Sequence, residues 1–169
     1  DLLIFARGDS VINKSISVSE LFVRLQRELD GSPLLKRVDI SYSNQAAEFI
    51  LQCNPQALIS AITNLVNNAR EAAAEHQPNM QTKVNITAIL VNAQLNLLIA
   101  DNGPGISREQ KSRVLEPFYS TKARGTGLGL AVVQAVVESL GGGLSLDSPV
   151  IGVLQIRLRW PISMDANIQ

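Results

Sequence analysis

The spacing of apolar positions along the chain predicts three helices. Leu21–Leu29 repeats at helical spacing, with Ser19 as the expected N-cap. A long second helix is expected to open at Asn54 and Pro55, since asparagine is favoured at the N-cap and proline at the first helical position. The third helix, Leu128–Leu140, is apolar nearly all round, which predicts that it packs deeply.

Alternation and short apolar runs predict the strands between these helices. Val38–Tyr42 alternates, and Glu48–Gln52 is expected to pair with it. The other expected strands are Lys83–Leu90 and Asn96–Ala100, joined by a turn near Asn92, and then Leu144–Leu146 and Val153–Leu158. Helices packed on one face of a mixed, mainly antiparallel sheet make a two-layer α/β sandwich of the α+β class.

Composition narrows the class of protein. The chain of 169 residues is long enough for one domain, and 46% hydrophobic against 4% aromatic residues predicts an aliphatic core. Fifteen basic residues balance fifteen acidic ones, which gives no electrostatic reason to expect nucleic acid or an anionic membrane as a partner. A single cysteine, Cys53, cannot form an internal disulfide, so we expect a reducing, cytoplasmic compartment. No apolar run approaches the roughly 20 residues of a membrane span, and a longer parent protein is equally compatible with a cytosolic or a membrane-anchored location.

The second helix, expected to run to about Glu75, carries amides opposite its apolar stripe. Asn64 and Asn68 lie one turn apart on the same side. Mg²⁺ takes oxygen ligands and is usually shared with substrate phosphates, so an amide oxygen suits it beside an anionic ligand. The alternative is that these asparagines face water, although asparagine is a mediocre helix former.

Two glycine-rich segments follow. Asp101 ends a strand and opens the run D-N-G-P-G-I, in which the carboxylate has the chemistry to bind an exocyclic amino group such as that of adenine; an ordinary turn is the alternative. The run G-T-G-L-G-L at residues 125–130 opens the third helix, where free N–H groups make an anion site. Lys122 and Arg124 stand just upstream, as phosphate contacts or as solvated charges. The run is neither a Walker P-loop nor a dinucleotide fingerprint.

The order of four motifs is far more specific than any one of them. N-L-V-N-N-A-R-E-A, D-N-G-P-G-I, E-P-F-Y-S-T-K and G-T-G-L-G-L-A-V-V resemble the N, G1, F and G2 boxes of bacterial sensor histidine kinases. These kinases belong to the GHKL superfamily with gyrase B, Hsp90 and MutL. The resemblance covers roughly residues 15 to 160 and looks most like the NtrB-type kinases that serve σ54-dependent activators, flagellar regulators of the FlrB/FleS kind among them. It implies the Bergerat fold, with ATP and Mg²⁺ as cofactors under a mobile lid.

Matching the boxes residue by residue assigns roles by resemblance. Asn68 would hold Mg²⁺, Asn64 would support the phosphate side, Asp101 would bind the adenine amino group and Phe118 would anchor the lid. Asn64, Asn68 and Lys122 are the expected catalytic residues. The expected nucleotide contacts are Asn64, Asn68, Asp101, Gly103, Gly105, Ile106, Phe118, Thr121, Lys122, Arg124, Gly125, Thr126, Gly127, Leu128, Gly129 and Leu130.

The residue at position 64 separates two enzyme classes. GHKL ATPases carry a water-activating glutamate there, whereas Asn64 accepts no proton at neutral pH, and Glu71 stands too far along the helix to replace it. We therefore expect a protein-histidine kinase domain that donates the γ-phosphate of ATP to a histidine elsewhere. A GHKL ATPase, an anti-sigma-type serine kinase and a non-catalytic nucleotide-binding module remain the alternatives.

Several expectations concern what lies beyond the catalytic domain. The single histidine, His76, sits in a context unlike an acceptor motif and is expected to be a surface residue. Residues 1–8 (DLLIFARG) resemble the end of a dimerisation helix, residues 9–163 form the ATP-binding domain and residues 164–169 a disordered tail. The expected partners are the absent dimerisation and phosphoacceptor domain and a response regulator, such as a σ54-dependent activator. The chain alone is expected to be monomeric and not to autophosphorylate.

Overall fold

The computed structural model describes residues 14–113, 129–148 and 154–161. The strands are β1 (Lys14–Ser17), β2 (Asp39–Asn44), β3 (Ile50–Cys53), β4 (Lys83–Val91), β5 (Gln94–Asp101), β6 (Gly143–Asp147) and β7 (Leu154–Pro161). The helices are α1 (Val18–Asp30), α2 (Pro55–His76), α3 (Arg108–Arg113) and α4 (Gly129–Ser139), with a 3-10 turn at Pro33–Leu35. Residues 1–8 and the tail 164–169, both assigned from the sequence, lie outside the described residues.

The described strands form two separate sheets. The larger has the order β2-β4-β5-β7-β6, in which β2 and β4 are parallel and every other neighbouring pair is antiparallel. The smaller pairs β1 with β3. The expected pairing of Glu48–Gln52 with Val38–Tyr42 is therefore wrong, because β3 pairs with β1 and β2 takes β4 as its neighbour.

The helices cover one face of the larger sheet. Along β2, Ile40 and Tyr42 are half-buried whereas Asp39, Ser41 and Ser43 are exposed, so one face is packed and the other meets solvent. Helix α1 contacts β1, β2 and α2; α2 contacts β5 and α4; and α4 contacts β6. The expected mixed, mainly antiparallel sheet with helices on one face is confirmed.

The core is aliphatic, as the composition predicts. The apolar stripe of α2 is buried and packs with the inward side chains of the central strands, most of them leucine, isoleucine and valine. The third predicted helix is less deeply packed than expected. Val132, Val133, Val136 and Val137 of α4 are buried, whereas Glu138 is exposed, so α4 buries one side.

Capping residues fix where two helices begin. Ser17 caps α1, because its Oγ accepts a hydrogen bond from the Glu20 N–H at 3.0 Å. The predicted cap, Ser19, is instead a residue of the first helical turn. The prediction for α2 is confirmed: Asn54 Oδ1 accepts from the Ala57 N–H at 3.2 Å and Pro55 is the first helical residue.

Candidate nucleotide-binding site

One face of α2 changes character along its length. Ala57, Ala61, Asn64 and Asn68 follow one another at spacings of four, three and four and therefore share this face. Ala57 and Ala61 are 8% and 2% exposed, whereas the two asparagines are half-buried. The face is thus packed near the start of the helix and offers partly accessible amides further along.

A third asparagine on α2 is engaged by its own helix. Asn67 Oδ1 accepts from Arg70 Nε at 3.0 Å, and Asn67 Nδ2 donates to Glu71 Oε1 at 3.3 Å. An ion pair of 3.7 Å joins Arg70 Nη2 to Glu71 Oε1. These three residues contact one another beside the amide face, and Asn67 does not share the face of Asn64 and Asn68. His76, at the end of α2, is exposed as expected.

Asp101 stands at the end of β5 with its carboxylate oriented by the chain that follows. Its Oδ1 accepts from the Gly103 N–H at 2.8 Å. Burial raises the pKa of the Asp101 carboxyl above its ordinary range, and the bond from Gly103 opposes part of that rise. A Cβ at position 103 would lie 2.9 Å from Asp101 Oδ1, so glycine is the residue that fits against this carboxylate. A half-buried carboxylate of this kind is a directed hydrogen-bond acceptor.

The residue between them, Asn102, was not singled out from the sequence. Its Oδ1 accepts from the Lys83 N–H at 2.8 Å, its Nδ2 donates to the Gln81 carbonyl at 3.0 Å, and its own N–H donates to the Lys83 carbonyl at 3.2 Å. The only sequence signal was the Asn-Gly dipeptide, which indicates a turn but not a partner nineteen residues away.

The rest of the first glycine segment leads into a short helix that the pattern did not predict. Gly105 has φ of +76°, in the left-handed region that favours glycine, and Ile106 after it is half-buried. Helix α3 then opens with a capping box: Ser107 Oγ accepts from the Gln110 N–H and Gln110 Oε1 accepts from the Ser107 N–H, both at 3.1 Å. Apolar periodicity missed α3 because none of its residues is buried.

Only the end of the second glycine segment falls within the described chain. Gly129 is the first residue of α4, and Leu130 after it packs against the core. The other expected contacts in this part of the sequence lie outside the described residues: Phe118, Thr121, Lys122, Arg124, Gly125, Thr126, Gly127 and Leu128.

The described parts of the candidate site stand on elements that touch. Helix α2, which carries the amides, contacts both β5, which ends at Asp101, and α4, which begins at Gly129. Amide oxygens on a half-buried helix face suit Mg²⁺, because this ion binds oxygen, keeps several waters and shares its coordination sphere with phosphates. A purine amino group is in turn a suitable donor to Asp101.

Residues 53–164, well over half of the chain, match the family described as histidine kinase-, DNA gyrase B-, and HSP90-like ATPases. The chain belongs to this family. The match spans the described parts of the candidate site and also the residues of the second glycine segment.

Two curated relatives are much longer than this chain. The nitrogen regulation protein NtrY of Azorhizobium caulinodans is 41% identical over 92 residues, which is 53% of this chain and 12% of NtrY. The sensory histidine kinase/phosphatase NtrB of Rhizobium leguminosarum bv. phaseoli is 27% identical over 154 residues, or 85% of this chain and 40% of NtrB. The chain therefore spans less than half the length of either relative.

Solved histidine kinases share the fold. The catalytic domain of the kinase ThkA matches with a TM-score of 0.75 at 20% identity, covering 92% of this chain and 99% of that one. ThkA in complex with the response regulator TrrA matches with a TM-score of 0.75 at 18% identity, covering 96% of this chain and 45% of that one. The Bergerat sandwich expected from the sequence is confirmed. None of the helices in the described ranges has both the length and the apolarity to cross a bilayer.

Proposed function

We propose that this chain binds Mg-ATP and donates its γ-phosphate to a histidine on a separate dimerisation and phosphoacceptor domain of a two-component sensor kinase. The observation that carries the proposal is the half-buried amide face of α2, which brings Asn64 and Asn68 together. By resemblance to the family boxes, Asn64 stands where an ATPase of this superfamily carries a carboxylate. Family membership and the names of the relatives support the same conclusion.

Each described site residue is assigned to a different part of the nucleotide. Asn68 would supply an oxygen to Mg²⁺, and Asn64, one turn earlier on α2, would support the phosphate side. Asp101 accepts a hydrogen bond from the adenine amino group, and Gly103 and Gly105 let the backbone approach the ring. By resemblance to the family boxes, Lys122, Arg124 and the glycine segment at residues 125–129 would neutralise the phosphates, and Phe118 would anchor the lid.

Phosphoryl transfer asks chiefly for positioning and charge neutralisation, which suits a domain without a base of its own. The γ-phosphoryl group passes from the β-γ bridging oxygen to an imidazole nitrogen of the acceptor, and ADP leaves. Because Asn64 cannot take a proton from water at neutral pH, hydrolysis competes poorly with this transfer.

The partners follow from the same proposal. They are an acceptor domain and a response regulator, with a σ54-dependent activator favoured by the likeness to NtrY and NtrB. Residues 9–163 would form the catalytic domain. We place the domain in the cytoplasm, where its nucleotide is found, whether the whole protein is cytosolic or anchored.

Magnesium-dependent nucleotide affinity tests the proposal. We expect ATP to bind much more tightly with Mg²⁺ than with EDTA, and Asn68→Ala to weaken the Mg-dependent affinity by about 10- to 100-fold. Asn67→Ala is the matched control, because the Asn67 amide is engaged by Arg70 and Glu71. Equal affinities of the parent and Asn68→Ala in Mg²⁺, measured by titration calorimetry, would remove the metal assignment.

A further inference from the structure

Asn102 extends the pairing of β4 and β5 beyond the end of the ladder. The last paired residues are Val84 and Asp101, so Lys83 and Asn102 are the next facing positions. A hydrogen-bonded antiparallel pair exchanges two backbone bonds. Here the Asn102 N–H donates to the Lys83 carbonyl, but the Lys83 N–H donates to the side-chain Oδ1 of Asn102. The side chain therefore takes the place of its own carbonyl in the pair.

Because the Asn102 side chain, and not its carbonyl, bonds the Lys83 N–H, the backbone can leave the sheet immediately after Asp101. Because the side chain holds β4, the main chain is free to turn at Gly103, and the Gly103 N–H reaches back to Asp101 Oδ1 at 2.8 Å. The Gly103 N–H thus orients the Asp101 carboxylate, while Asn102 holds the adjacent backbone against β4. The orientation of the carboxylate therefore depends on the two residues that follow Asp101, which are Asn102 and Gly103.

The segment to which Asn102 is anchored is itself held by the sheet. Gln81, whose carbonyl accepts from Asn102 Nδ2, precedes Thr82, which is buried. The Thr82 carbonyl accepts from the Asp39 N–H of β2 at 2.9 Å. Asn102 therefore joins the end of β5 to the segment that precedes β4, and this segment is itself hydrogen-bonded to β2.

We propose that Asn102 is a positioning residue that holds the Asp101 carboxylate in the orientation that accepts the 6-amino group of adenine, and so contributes to the selection of adenine. The inference deepens the proposed function and rests on it. Asn102 acts through Asp101 and needs no contact with the nucleotide. Its loss is expected to lower discrimination between purines more than it lowers binding of the phosphates.

The test compares ATP with inosine triphosphate, which lacks the 6-amino group, on the 169-residue chain. The parent is expected to prefer ATP. Asn102→Ala is expected to bind ATP about tenfold more weakly while its affinity for inosine triphosphate changes by less than about twofold. Asn44→Ala is the matched control, because Asn44 Oδ1 also bonds a backbone N–H, that of Ala46, but at the far end of β2.

The outcomes separate the inference from the function beneath it. A parent that binds both nucleotides equally contradicts the adenine role of Asp101 and the inference with it. If the parent prefers ATP and Asn102→Ala keeps the same ratio of affinities, the inference about Asn102 is wrong but the proposed function stands. This holds whether both affinities are retained or both fall together. Should Asn102→Ala fail to fold, the ratio is read in Asn102→Ser, which keeps a polar side chain but removes the amide that bonds both Lys83 and Gln81; an unchanged ratio there has the same meaning.

Discussion

Three asparagines within one turn and a half of α2 have different surroundings although their chemistry is identical. Asn64 and Asn68 share a face, while Asn67, rotated by about 100° from its neighbour at 3.6 residues per turn, bonds Arg70 and Glu71. Helical spacing was enough to predict that Asn64 and Asn68 lie together. The sequence did not reveal that Asn67 bonds Arg70 and Glu71, because those contacts depend on side-chain rotamers.

The binding role proposed for Asp101 conflicts with stability, and Asp101→Asn separates the two effects. Burial raises the pKa of this carboxyl, so the folded chain holds the proton more tightly than the unfolded chain. The charged carboxylate therefore costs stability once the pH exceeds the unfolded value of about 3.9, and the cost is complete above the raised folded pKa. We expect Asp101→Asn to be at least as stable as the parent at pH 7 while losing ATP affinity by at least about tenfold.

Urea unfolding at several pH values measures this difference. The stability gap between Asp101→Asn and the parent should be widest at neutral pH, and it should close only as the pH falls below about 3.9, where Asp101 becomes protonated in the unfolded state as well as in the folded one. Asparagine keeps an oxygen for the Gly103 N–H, so the turn is preserved. A variant clearly less stable than the parent at pH 7 would show that Asp101 holds the fold and not only a ligand.

At the scale of elements, the junction between α4 and β6 depends on one close approach. A Cβ at Gly142 would lie 2.5 Å from Trp160 Nε1 and 2.6 Å from the Arg159 carbonyl, and the backbone of β7 cannot move aside cheaply. We expect Gly142→Ala to lower the free energy of unfolding by about 1–3 kcal/mol through overpacking. Denaturant titration followed by the fluorescence of Trp160, the single tryptophan of the chain, measures the loss.

The next residue supplies the control. A Cβ at Gly143 meets nothing within 4 Å, so Gly143→Ala should change the stability by less than about 0.5 kcal/mol. Equal losses in the two variants would mean that backbone freedom, and not contact with β7, explains the glycines at this junction.

The elements were predictable where local chemistry defines them and not where partners are distant. The cap and proline that open α2 and the turn near Asn92 were read from neighbouring residues, and both are confirmed. The pairing of β3 with β1 joins Cys53 to Lys14, and nothing local encodes a partner so far away. The sequence likewise showed the Asp101 segment as a possible ligand site but could not reveal the Asn102 anchor, since its partners arrive with β4.

Across the whole molecule, the sandwich brings three separate stretches of sequence to one candidate site. The amide face of α2, the end of β5 and the start of α4 are distant in sequence but belong to elements in contact. The single histidine of the chain, His76, is exposed at the end of α2. Under the proposed function His76 is not the phosphoacceptor. The acceptor then has to arrive from another domain, as the greater length of NtrY and NtrB allows.

Reconstitution with the dimerisation domain tests this division. With γ-³²P-ATP and Mg²⁺, the 169-residue chain alone should acquire no stable label, and an added acceptor domain should become labelled at its histidine. Asn68→Ala should slow that labelling by about 10- to 100-fold because the metal is no longer held, whereas His76→Ala should leave it unchanged. An acceptor domain with its histidine replaced by glutamine controls for transfer to other residues. Label that stays on the 169-residue chain and disappears in His76→Ala would contradict the transfer proposed here, because it would place the acceptor at the end of α2.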